Sequence, residues 1–168
     1  MKIFTVGHSN GTFEDLAVRI EKYGIQTIVD VRSAPFSKYV PHFNHEMIEK
    51  SLTGRGTKYV YMGDRLGGRP KDPALCGADG KPDYDKIAAD DRFVEGLEIL
   101  KGIAQWSTVC ILCSEANPSA CHRSKLISKQ LTLQGVEVAH ILGDGSLETE
   151  KEIAKRRASS NENQLELF

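Results

Sequence analysis

Residues 108–115, Thr-Val-Cys-Ile-Leu-Cys-Ser-Glu, decide the fold. The near-continuous apolar run from Thr108 to Cys113, which halts on two polar residues, reads as a strand buried on both faces. Strands of that kind occur where helices cover both sides of a parallel sheet. Working outward, Ala120 to Leu133 has helical spacing and ends at Gly135, and Val136 to Ile141 is a further strand. Upstream, Lys2–Val6, Thr27–Val31 and Lys58–Met62 are shorter β-type runs. Thr12 can cap a helix with Phe13, Leu16, Ala17 and Ile20 on one face, stopped by Gly24, and Asn44 can cap another through Leu52. Helical periodicity runs from Asp83 to Trp106 with a break near Asp90 and Asp91, and Glu148 to Arg157 reads as a charged final helix. The alternation predicts a three-layer, Rossmann-like α/β domain over residues 1–158, with a mostly parallel sheet of about five strands. Residues 63–82, rich in Gly, Pro and charge, are too long for a simple connection and read as a functional excursion. Residues 159–168 read as a flexible tail.

A length of 168 residues, 40% of them hydrophobic, suits one domain with a real core. The formal net charge of −1 gives no global attraction to polyanions, so a nucleic-acid contact needs a local basic patch or a delivering partner. The opening MKIFTVGHSNG has no long apolar stretch and is expected to be neither a signal peptide nor a membrane span. Four cysteines, unevenly spaced, point to reduced thiols in a cytoplasm rather than to a disulfide scaffold.

In open parallel sheets ligands bind beyond the carboxyl ends of the strands. Read only at those ends, the sequence yields His8 and Ser9, then Asp30 and Arg32, then Arg69 in Leu-Gly-Gly-Arg-Pro, then Cys113 and Glu115, with His140 near the last. Asp30 and Arg32, two apart, share a strand face: they pair with each other, or Arg32 receives an anion while Asp30 orients it or His8. Pro118 and Ser119 suit a helix start, which puts Cys121, His122 and Arg123 in its first turn. There Cys121 is either an activated thiolate or a small packing residue, and Arg123 with the backbone N–H groups makes an anion site. Glu115 is a candidate acid or base, with His8 as its alternative, and Cys113 or Cys121 a candidate nucleophile; Ser9, Asp30, Arg32, Arg69, His122 and Arg123 are candidate ligand-binding groups. Glycines 67 and 68 either let backbone approach a phosphate or sugar, or simply form a tight turn.

Spacing argues against two familiar readings. Cys110 and Cys113 form a Cys-x-x-Cys pair, but three residues of extended chain span about 10 Å, beyond disulfide reach, and an odd separation puts them on opposite faces. A zinc site from Cys110, Cys113, Cys121 and His122 meets the same objection, and neighbouring Cys121 and His122 chelate one ion awkwardly; no metal is expected. A phosphatase-like Cys with Arg six residues on is absent from either position. A Cys113–Cys121 redox pair stays open.

The succession TVGHS, DVRSAPFSKYVPHFN, LGGRP, CSEANPSACHR and a late His-Ile resembles the domain-of-unknown-function 488 family over about Ile3 to Leu142. The resemblance implies a compact α/β domain and directs attention to His8, Ser9, Asp30, Arg32, Cys113, Glu115, Cys121, His122 and Arg123, and implies no reaction or cofactor. Separately, Gln164-Leu165-Glu166-Leu167-Phe168 resembles the short peptide by which bacterial proteins dock on the replicative sliding clamp: Gln164 is a polar hook, and Leu165, Leu167 and Phe168 are apolar anchors. Taken together these lead to an enzyme of nucleic-acid or nucleotide metabolism, in DNA repair or related work, recruited by the clamp. A non-catalytic nucleotide- or nucleic-acid-binding adaptor and a thiol enzyme unrelated to DNA are the alternatives.

Overall fold

In a computed structural model the backbone is described for residues 1–165 and side chains for residues 1–159. Six strands form one sheet: β1 (Lys2–Gly7), β2 (Thr27–Asp30), β3 (Lys58–Tyr61), β4 (Val109–Cys113), β5 (Glu137–Ile141) and β6 (Leu147–Thr149), in the order β3-β2-β4-β1-β5-β6. All pairings are parallel except that of β5 with β6. The connecting helices are α1 (Phe13–Lys22), α2 (His45–Thr53), α3 (Gly63–Leu66), α4 (Tyr84–Ala88), α5 (Asp91–Ala104), α6 (Lys129–Leu133) and α7 (Glu150–Leu165).

Alternation along the strands divides the core into two layers. Phe4, Val6, Ile28, Cys110 and Leu112 pack with Leu16, Ile20, Ile48 and Leu52 of α1 and α2. Ile3, Val29, Val109, Ile111 and Cys113 pack on the other face with Phe93, Leu97 and Leu100 of α5 and Leu131 of α6. The chain therefore leaves β1 and β2 toward one face and leaves β4, which lies between them, toward the other. Both neighbours of β4 diverge from it, so a crevice opens at its carboxyl end, the switch-point geometry of open α/β sheets. The register is level there: Gly7 pairs with Cys113 and Asp30 with Leu112. Past the strands the backbone still runs together, with His8 N–H donating to Cys113 O at 3.0 Å and Ser9 N–H to Ser114 O at 2.8 Å.

Local chemistry explains most boundaries. Thr12 and Asp15 form a capping box on α1, and Asp90 caps α5 through Arg92 N–H, which is why the long helical stretch breaks there. Asn44 does precede α2, but its side chain turns back and accepts from Ser37 N–H at 2.6 Å, bracing loop 31–44 instead of capping the helix. The sixth strand was not expected. Asp144 and Gly145 make a turn that folds β6 back on β5, and Thr149 with Glu152 makes a capping box that delays the last helix to Glu150, leaving Glu148 in the strand. The expected helix from Ala120 is broken up: a 3-10 turn at Pro118–Ala120, extended backbone at Cys121, a π-helical turn at Arg123–Ser128, then α6. That final helix is continued past Arg157 to Leu165. Gln164 and Leu165 have no described side chain, and Leu167 and Phe168 lie outside the described residues. Among the described residues no helix is long and apolar enough to cross a membrane.

Candidate functional site

The crevice is a cleft of about 440 Å³ whose walls include Arg69, Tyr84, Cys113, Ser114, Glu115 and His122. Its floor is a thiol–carboxylate cluster. Cys113 ends β4 on the α5/α6 face, and its S–H donates to Glu115 Oε2 at 2.9 Å. Cys121 comes from the break before the π-helical turn, and its S–H donates to the same oxygen at 3.0 Å. His122 donates from Nε2 to Val31 O at 3.2 Å, and its Nδ1 faces the two sulfurs, 3.7 Å from Cys113 and 3.9 Å from Cys121. The Cys121 sulfur accepts Arg123 N–H at 3.4 Å, as a capping oxygen does at a helix start.

Titration follows from these contacts. Burial works to raise the Glu115 pKa, but the two thiol hydrogen bonds outweigh it and bring the group down to about 2, so the carboxylate is charged. The Cys113 thiol is pushed up, first by its interaction with Cys121 and then by burial, and stays protonated at neutral pH. Burial works to lower His122, but the Cys113 thiol, the Glu115 charge and the Val31 carbonyl together raise it.

Glycines make this approach possible. A Cβ on Gly7 would lie 1.8 Å from Glu115 O, and one on Gly68 would lie 2.5 Å from His122 Cγ. In Leu-Gly-Gly-Arg-Pro, Gly68 therefore admits the His122 side chain and Gly67 the Ser33 hydroxyl and Gly63 carbonyl, rather than a phosphate. Arg69 follows them and is exposed; its guanidinium makes no hydrogen bond or ion pair to a described residue, while its backbone N–H donates to Ser33 Oγ at 3.0 Å.

The other expected cations are turned inward. Arg32 is buried and forks onto Asp30, Nε to Oδ1 at 2.9 Å and Nη2 to Oδ2 at 2.6 Å, while its Nη1 donates to Phe43 O and to His8 Nε2. Asp30, fully buried, also accepts Tyr59 O–H at 2.7 Å. His8 Nδ1 donates to Ser9 O at 2.7 Å, and its ring stacks on Phe43. Burial takes His8 down to about 4, with Arg32 adding to the effect, so His8 is a neutral imidazole whose two nitrogens are both engaged. Ser9 holds a positive φ of 55° to make that turn. Arg123 is fully buried, with Nη1 donating to Glu115 O at 2.6 Å and Nη2 to Ala116 O at 3.1 Å. Arg32 and Arg123 thus hold the loops that carry the site, and of the three arginines only Arg69 presents its charge to the cleft. Nor does Cys121 lie within a helical turn, because the chain is extended there. His140 stands apart, buried between Thr5 and Glu150.

Two expectations about the cysteines fare differently. Cys110 and Cys113 lie on opposite faces of β4, as their odd spacing requires. The objection to adjacent Cys121 and His122 sharing one centre fails. The extended conformation at Cys121 followed by a helical His122 turns both side chains toward Cys113, and one ligand atom from each lies within 4.8 Å of the others.

Sequence reasoning missed the aromatic rim. Phe36 and Tyr39, 77% and 81% exposed, flank Lys38 on the loop after β2. The depression under Phe36 shares Arg32, Ala34 and Ser114 with the main cleft. Two aromatics and a lysine within four residues of a polar loop were the available signal. Tyr84 offered none.

The profile of the family described as Domain of unknown function DUF488 matches residues 12–129, a span that ends just past the site and leaves out β1, His8 and the last two strands. No curated protein and no solved structure gives a match.

Proposed function

Because the chain belongs to the DUF488 family, whose description assigns no activity, we propose from the geometry an enzyme acting on a nucleic-acid or nucleotide substrate, brought to DNA by the C-terminal clamp peptide. The observation that carries this reading is the pairing, across one cleft, of a charged Glu115 with Arg69, whose guanidinium has no hydrogen-bond or ion-pair partner among the described residues. A carboxylate beside a cation open to solvent is the minimum equipment for holding a phosphate-bearing substrate and moving its proton. Exposed Phe36, lining a depression that shares Arg32, Ala34 and Ser114 with that cleft, supplies a face on which a base stacks. Glu115 is the proton carrier in this scheme, Arg69 meets phosphate, and Arg32, Arg123, Asp30 and His8 position the loops.

The test is a thermal-shift screen of nucleotides and short single-stranded DNAs on the full chain, followed by product analysis on any ligand found. Binding that falls with salt, weakens in Arg69→Ala and loses turnover but not affinity in Glu115→Gln is the expected result. Ligand binding with no turnover in any condition identifies the adaptor instead, and no shift with any nucleotide or DNA refutes the proposal. Removing residues 164–168 is expected to abolish capture by the immobilised bacterial clamp without moving the melting temperature.

A further inference from the structure

We propose that Cys113, Cys121 and His122 form a binding site for a thiophilic divalent cation of the zinc class, with the fourth position left to a solvent donor. This goes beyond the functional reading above and holds whatever the substrate is.

Four observations converge on it. First, the spacing is nearly right: zinc bonds of about 2.3 Å to sulfur and about 2.0 Å to nitrogen at tetrahedral angles put sulfur and nitrogen about 3.5 Å apart. The structure has Nδ1 at 3.7 Å and 3.9 Å from the two sulfurs, so a contraction of a few tenths of an ångström closes the set. Second, His122 is oriented as a ligand needs: Nε2 donates to the Val31 carbonyl, the outer contact that metal-bound histidines commonly make, and Nδ1 points at the sulfurs. Third, one ligand atom from each of Cys113, Cys121 and His122 lies within 4.8 Å of the others, while Glu115 Oε2 holds both thiols from outside that group. Fourth, the donor set of two thiols and an imidazole suits zinc over hard cations such as magnesium or calcium.

Binding exchanges two S–H protons for two metal–sulfur bonds. The cation takes the thiolates of Cys113 and Cys121, the Nδ1 lone pair of His122 and a solvent oxygen, and two thiol protons leave to solvent. No electron is transferred.

The experiment uses the full chain, stripped with a chelator and reloaded with one equivalent of zinc or cobalt(II). X-ray absorption on the zinc form is expected to show two sulfurs at about 2.3 Å and two lighter donors at about 2.0 Å. The cobalt form should give a thiolate charge-transfer band and the intense visible bands of a tetrahedral centre. Cys113→Ser and Cys121→Ser should weaken zinc at least about 100-fold, since losing only an outer contact already costs about 10–100-fold. Cys76→Ser should bind like wild type. Because buried cysteine variants can fail to fold, the absorption measurement on the unmodified chain decides by itself. A shell without sulfur, no binding at micromolar metal, or a cobalt spectrum unchanged in folded Cys113→Ser overturns the proposal. None of these readouts involves a nucleotide, so the metal site and the substrate reading fail separately.

Discussion

Replacing Asp30 by Asn removes the charge and one acceptor oxygen while nearly keeping the side chain's shape. Asp30 is wholly buried and accepts four hydrogen bonds from Arg32, one of them from its backbone N–H, and one from Tyr59. In Asp30→Asn one oxygen becomes an NH₂ group that faces Tyr59 O–H and Arg32 Nη2, and the guanidinium is left buried without its counter-charge. Stranding one partner of a buried pair costs about 3–5 kcal/mol. With a urea slope of about 2 kcal/mol per molar, the midpoint should fall by about 1.5–2.5 M. Equilibrium urea unfolding followed by circular dichroism measures this directly. The companion is Asp30→Asn with Arg32→Met, where no charge is stranded; it should lose markedly less than the two single variants summed. A fall under about 1 kcal/mol in the single variant, or strict additivity in the double, would show that the pair does not hold the β2 end as argued.

Three further outcomes are expected. Gly68→Ala should displace His122 from its place against Val31 O and weaken zinc about 10–100-fold while leaving the melting temperature within a few degrees, checked by competition with a chromogenic chelator. Acid should destabilise the fold through His8: the unfolded ring takes its proton near 6.5 and the folded ring only near 4, so this contribution is complete above pH 6.5 and shrinks as pH falls toward 4, by about 3 kcal/mol in full. His140 acts in the same direction and Glu115 begins to contribute only below about 4.5, so the difference between wild type and His8→Gln across that window isolates His8, and equal slopes would disprove it. Phe36→Ala should cost about 1–3 kcal/mol in single-stranded DNA affinity, measured by fluorescence anisotropy, and leave stability unchanged.

The layers were legible because burial pattern and period are local properties of a chain. Thr108–Cys113 could be read as a doubly covered strand, Thr12 as a helix start and the neighbourhood of Asp90 as a helix break, from a few residues each. β6 was not legible, since three half-exposed residues carry no periodicity and depend on a turn and on Thr149 capping the next helix. At the site, the residue types were visible and their roles only partly so. Cys113, Glu115, Cys121 and His122 do converge, but Arg32 and Arg123 share the sequence signature of ligand-binding arginines and are satisfied by Asp30 and by loop carbonyls. Which partner claims a guanidinium depends on residues far apart in the chain, such as Phe43 for Arg32, and no spacing rule contains that.

The π-helical turn at Arg123–Ser128 has a consequence for how this site is to be sought in other chains. Such a turn is an α-helix carrying a surplus residue. Here it lets Arg123 face the Glu115 loop while Leu126, Ile127 and Leu131 still face the sheet. Delete one residue between 124 and 128 and the segment closes as an ordinary helix, but one end must rotate by about 100° relative to the other. Either the core loses Leu131 or Cys121, His122 and Arg123 swing away from Cys113. A chain bearing every side chain of this site on a segment one residue shorter would be its anagram, with the same letters and a different meaning.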